Sequence, residues 1–123
     1  MENIQLAIVG SRDMTSYKDM ETHIDLALKE WSSEVKDITL IVSGGCKGAD
    51  QLGEQFAKKH KIKTMILKPD WKTYGKRAGI LRNHDIIGNA THVIAFPSKK
   101  GSGTQHSIEI AKKQNKPTYV HFI

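Results

Sequence analysis

The stretch I-T-L-I-V-S-G-G-C-K-G-A-D, residues 38–50, decides the fold. Its first five residues form a short apolar run rich in β-branched side chains, the composition of a strand. Its last eight are a glycine turn, after which Ala49, Leu52, Gly53, Phe56 and Ala57 recur at helical spacing. A strand that passes through a glycine turn into a helix is half of a parallel βαβ unit. Adjacent Gly44 and Gly45 let the backbone come close to a ligand with no Cβ in the way. Gly48 is expected to let the helix pack close to the sheet. The turn is not a dinucleotide fingerprint, because Ser43 replaces the first glycine of G-x-G-x-x-G. Nor is it a P-loop, because no Gly-Lys-Ser/Thr follows.

The same punctuation occurs twice more. G-S-R-D, residues 10–13, follows the apolar run 4–9, and G-S-G-T, residues 101–104, comes shortly after the run 92–96. A helix that opens from such a turn directs backbone N–H groups and a partial positive charge at whatever lies beyond. Three turns at one sheet edge imply a single site for an anionic group, a phosphate. In the middle turn Ser43, Gly44, Gly45, Gly48 and Ala49 are counted with that site. In the first turn Gly10 makes the bend, Ser11 donates to a phosphate oxygen, and Arg12 offers a bidentate fork. Asp13 is available to a ribose hydroxyl, or Arg12 and Asp13 simply pair on the loop. In the third turn Gly101, Ser102, Gly103 and Thr104 supply N–H groups and hydroxyls; the alternative is a plain N-cap.

The rest of the chain alternates strand-like and helix-like segments. Ser16 with Asp19 resembles a capping box, and Met20, Ile24, Ala27, Leu28 and Trp31 mark one face of a helix. A third strand is expected over 62–67 and a loop over 68–79. A helix over 80–88 follows, with Ile80, Leu81, Ile86 and Ile87 toward the sheet. A fourth strand covers 92–96, and a helix over 103–114 has Asn115 as its C-cap. A last strand covers 118–122. This alternation predicts an α/β fold, a Rossmann-like three-layer sandwich whose five parallel strands run in the order 3-2-1-4-5 with helices on both faces. The order reverses between strands 1 and 4, where open α/β sheets bind ligands. Arg82 and Asn83 are placed to reach across that crevice, Arg82 more so than Arg77. Asp70 stands at a ribose-binding distance in sequence. Trp71 and Tyr74 either form a stacking wall for a base or pin the loop to the domain.

Bulk numbers narrow the class. A length of 123 residues fits one domain, here 1–123. The single cysteine, Cys46, excludes an internal disulfide and suits a reducing compartment. No basic, apolar leader or membrane-length run is present, so a cytoplasmic protein with no membrane partner is expected. The six histidines show no ligand spacing, so no metal is expected, and His106 is expected at the surface. No cofactor is implied. Residues 1–60 carry 7 Lys/Arg against 10 Asp/Glu, a balance of −3, whereas residues 61–123 carry 12 against 3, a balance of +9. The basic half suits a nucleotide or single-stranded nucleic acid; otherwise it is a solvated lysine surface.

Taken together, G-S-R-D, G-G-C-K-G-A-D, the W-x-x-Y-G-x-x-A-G-x-x-R-N segment over 71–83 and Gly103-Thr104 resemble the SLOG superfamily, and within it the small YspA-like branch. The resemblance implies a Rossmann-like fold and a nucleotide-type ligand at the glycine turns. Some SLOG relatives, the LOG phosphoribohydrolases, release a base from a nucleoside monophosphate with an acid just after the threonine of P-G-G-x-G-T-x-x-E. Here the first acid, Glu109, comes five residues after Thr104. Others, the DprA type, bind single-stranded DNA. SLOG relatives also often pair, which implies a homodimer or higher homo-oligomer. The expectation is binding of a nucleotide or nucleotide-derived small molecule. The alternatives are an N-glycosidase, with Asp50 as the first candidate acid and Asp13 and Glu109 behind it, and a DprA-like nucleic-acid binder.

Overall fold

A computed structural model describes residues 3–99 and 103–123. The elements are β1 (Ile4–Gly10), α1 (Tyr17–Glu30), β2 (Ile38–Ser43), α2 (Ala49–Lys59), β3 (Lys63–Ile66), α3 (Trp71–Tyr74), α4 (Ala78–Gly88), β4 (His92–Phe96), α5 (Gly103–Lys113) and β5 (Thr118–Val120). The sheet runs β3-β2-β1-β4-β5, and every neighbouring pair is parallel. This is the expected Rossmann-like order. β1 lies at the centre, with Gly10 in register with Phe96 of β4.

The pleat of β1 divides the core in two. Ile4, Leu6 and Ile8 point to one face and join Met20, Ile24, Phe56 and Ala57 from α1 and α2. Ala7 and Val9 point to the other and join Ile86, Ile87, Ile108 and Ala111 from α4 and α5. Both clusters are buried, and each large side chain in them contributes about 1.5–3 kcal/mol. Ser16 caps α1 by accepting from the Asp19 N–H at 3.2 Å. Asn115 takes a left-handed φ of 55° just past α5, as a C-cap residue does.

Three segments differ from the sequence expectation. The region 68–79 holds a short helix, α3, capped by Asp70, whose Oδ1 accepts from Thr73 N–H at 3.1 Å. A 3-10 turn over Gly75–Arg77 follows, and α4 then begins at Ala78 rather than residue 80. Asp70 is therefore the N-cap of α3. Within α4, Ile86 and Ile87 are buried but Ile80 is 53% exposed. The two edge strands are shorter than their apolar runs. No helix among the described residues is long and apolar enough to cross a membrane.

Candidate functional site

The carboxyl ends of β1 and β4 open onto a cleft of about 830 Å³, within the range of small-molecule sites. It lies at the point where the strand order reverses. One wall is the loop after β1, with Gly10, Ser11, Arg12 and Asp13, joined by Cys46 and Asp50. The other is built by α4 and the turn before it, through Lys76, Gly79, Ile80, Arg82, Asn83 and Ile86. The first turns of α5 close the end with Gly103, Thr104, Gln105, His106 and Ser107, and Glu109 lies further along.

The glycine-loop wall is bonded mainly to itself. Ser11 N–H donates to Phe96 O at 3.0 Å, and Ser11 O accepts from Ala49 N–H, the first residue of α2, at 3.1 Å. Ser11 Oγ accepts from Asp13 N–H at 3.0 Å and from Ser98 Oγ at 2.9 Å. Gly48 has a φ of 82°, and a Cβ there would strike Ser11 O and come within 2.6 Å of Arg12 Cα. The close approach at Gly48 is thus between two loops. It is Gly53, whose added Cβ would lie 2.9 Å from Ile8 Cδ1, that brings α2 against the sheet. This corrects the role expected of Gly48.

Asp50 is 7% exposed and sits in the first turn of α2. Its Oδ2 accepts from Cys46 N–H at 3.2 Å, and Gly44 N–H also donates to it. Burial pushes the carboxyl up to about 6, with Glu54 adding to the rise; Cys46 N–H, the Arg82 charge and Gly44 N–H pull it back. Behind it, Ser43 Oγ donates to Glu54 Oε2 at 2.7 Å and accepts from Gly45 N–H at 3.2 Å. Ser43 is fully buried, and Ser43, Gly44, Gly45, Gly48 and Ala49 stand behind the cleft wall rather than on it. The reason is that this loop's donors are turned inward, onto Asp50, Ser43 and Ser11.

Arg82 spans the cleft floor. Its Nη1 donates to Gly44 O at 3.0 Å and to Leu67 O at 3.5 Å, and its Nε donates to Asn83 Oδ1 at 3.3 Å. Arg82 therefore ties α4 to the middle loop, which among the described residues leaves Arg12 and Lys76 as the exposed cations lining the cleft. Arg77 is exposed and outside the lining. Asn83, buried at 9% exposure, donates through Nδ2 to Gly103 O at 3.4 Å. His106 is half-buried rather than at the surface, with its Nδ1 3.2 Å from Asn83 Nδ2.

The structure thus brings Gly10, Ser11, Arg12, Asp13, Asp50, Arg82, Asn83, Gly103, Thr104 and Glu109 to one cleft. Gly101 and Ser102 lie outside the described residues. Trp71 and Tyr74 are 58% and 53% exposed on α3 and are not part of the lining. Lys76 and His106 were not singled out as site residues. Lys76 looks like any loop lysine in sequence. His106 follows Gly103-Thr104 by one helical step, a position that could have flagged it. Among the described residues no group of three or more His, Cys, Asp or Glu is placed to hold a metal.

An open parallel α/β sheet with a cleft at its strand-order reversal is a Rossmann-like domain. The chain belongs to the YspA, cpYpsA-related SLOG family, whose sequence model matches residues 4–74. It is 29% identical over 119 residues to the Gene 61 protein of Mycobacterium phage D29, covering 92% of each chain. Its fold is similar to DNA processing protein A of Helicobacter pylori, whose single-stranded DNA binding mode is described as unique (TM-score 0.69, 25% identity over 97% of this chain). It is also similar in fold to DNA processing protein A (DprA) of Streptococcus pneumoniae (TM-score 0.71, 21% identity over 96% of this chain). The chain spans 65% and 50% of those two structures, respectively.

Proposed function

We propose that the cleft binds a nucleotide or a nucleotide-derived small molecule. The observation that carries this reading is the facing of two features across one 830 Å³ cleft: the first turn of α5, and the loop bearing Ser11 and Arg12. The first N–H groups of a helix have no intrahelical acceptor, and they favour an anion. Arg12 and Lys76 add charge from opposite walls. The remaining volume, walled by Ile80, Ile86 and Gly79, suits a flat base and sugar. In this reading Gly103 and Thr104 hold phosphate with Arg12 and Ser11, and Asp13 reads the sugar or base. Gly101 and Ser102, outside the described residues, are assigned to the phosphate from sequence alone. Arg82 serves by holding Gly44 in place.

Membership of the SLOG family supports a nucleotide or nucleic-acid ligand in general. Calorimetry with mono-, di- and cyclic nucleotides tests it. Micromolar binding of at least one compound is expected, and heat-silence across the panel with folded protein overturns the reading.

One observation favours a second reading, single-stranded nucleic acid. Trp71 and Tyr74 are solvent-facing and interleaved with Lys72, Lys76 and Arg77, the pattern of a stacking platform on a basic surface. The similarity to a DNA-binding protein points the same way. It requires oligonucleotide affinity that falls steeply with salt. An N-glycosidase draws less support, because the best-placed acid, Asp50, already accepts two loop N–H groups.

A further inference from the structure

The hydrogen bonds of Asn83 determine the tautomer of His106. An asparagine amide has an oxygen that only accepts and a nitrogen that only donates. The partners here identify which is which. Arg82 Nε can only donate, so the Asn83 atom 3.3 Å from it is the oxygen. Gly103 O can only accept, so the atom 3.4 Å from it is the nitrogen. That same nitrogen lies 3.2 Å from His106 Nδ1. A donor facing Nδ1 requires Nδ1 to carry no hydrogen, so the neutral ring carries its proton on Nε2.

The second part of the argument is placement. His106 is in the first turn of α5 and lines the cleft. Side chains of a helix lean toward its N-terminus, which sets the imidazole beside the first turn of α5, with the His84 ring 5.4 Å away. We propose that His106 is a ligand-contacting residue whose Nε2–H donates to a phosphoryl oxygen of the bound nucleotide, and that Asn83 is the residue that fixes its tautomer. The chain of contacts then runs from Gly44 O through Arg82 and Asn83 to His106, so Gly44, which does not itself line the cleft, helps orient a residue that does. This inference rests on the nucleotide reading for its ligand but not for its tautomer.

Nitrogen NMR of the histidine rings tests both parts. In the ligand-free protein His106 is expected to show an unprotonated Nδ1 and a protonated Nε2. Asn83→Ala is expected to let the ring populate both tautomers. On titration with adenosine monophosphate, and separately with inorganic phosphate, the His106 Nε2 signal is expected to move. His106→Phe should weaken the monophosphate roughly tenfold, the worth of one such hydrogen bond. His106→Gln, which keeps an amide donor near the same place, should restore most of that loss. A protonated Nδ1 in the free protein overturns the inference whatever binds. So does binding seen at Arg12 and Thr104 with a His106 signal that stays still, and in that case the nucleotide reading survives. Absence of any binding overturns the ligand contact of His106 together with the nucleotide reading.

Discussion

The two walls of the cleft are built on opposite plans. The wall formed by the loops after β1 and β2 is rich in glycine and spends its polar groups internally. Ser11 O accepts Ala49 N–H, Asp50 accepts Cys46 N–H, and Ser43 Oγ accepts Gly45 N–H. The wall formed by α4, the turn before it and α5 carries its polar groups on side chains, of which Lys76, Asn83 and His106 line the cleft. The family match covers residues 4–74, which include the whole of the first wall, whereas α4 and α5 lie beyond that range. In the proposed reading the glycine loops supply the shape of the cleft, and the helices opposite supply much of the chemistry that a ligand would meet.

The most severe way to break this division is to insert a side chain between the loops. Gly48→Val places branched carbons against Ser11 O and Arg12 Cα at a φ that L residues rarely take. A loss of about 3 kcal/mol or more in denaturant unfolding is expected, independent of ligand.

The next effect is a pH dependence. The Asp50 carboxyl stands near 6 when folded against 3.8 as its ordinary value. Folding therefore favours its protonated form. This contribution is complete below about pH 4 and is lost as pH rises through about 6, on the order of 2–3 kcal/mol. The stability of the wild type relative to Asp50→Asn should decline across that window. A flat difference between the two would show that Asp50 is not the buried acid described.

Arg82→Met tests the bridge between the walls. It removes the donor to Gly44 O, and a cost of about 2 kcal/mol is expected from the stranded carbonyl. Nucleotide affinity should fall as well, because the loop and Asn83 lose their common anchor.

The smallest effect belongs to the outer rim. Trp71→Ala should change stability by less than about 0.5 kcal/mol, since the ring is 58% exposed. It sharpens the comparison in another way. Mononucleotide affinity should be untouched, and any loss confined to oligonucleotides would assign α3 to the nucleic-acid reading.

The sheet was readable in sequence because its signals are local. Buried parallel strands are continuous apolar runs; Gly10 ends β1, Gly44 follows β2 directly, and Gly48 opens α2. The wall assignment of the middle turn was not readable. Whether an N–H faces a ligand or another loop depends on Ser11 O and Asp50, residues brought there by the tertiary fold. The 68–79 segment was misread for a different reason. Its helix is a single turn set by the Asp70 cap, too short to leave an apolar period. His106 carried only its place just after Gly103-Thr104. Its significance comes from Asn83, 23 residues away and on another helix.

The central claim is that both walls meet one anionic ligand. A crystal structure with the tightest-binding nucleotide of the panel tests it most directly. The account predicts a phosphate within hydrogen-bonding distance of the first N–H groups of α5 and of Arg12, with the base toward Ile80. A nucleotide seated away from the β1/β4 crevice, or bound through α3 with the cleft left empty, would contradict it.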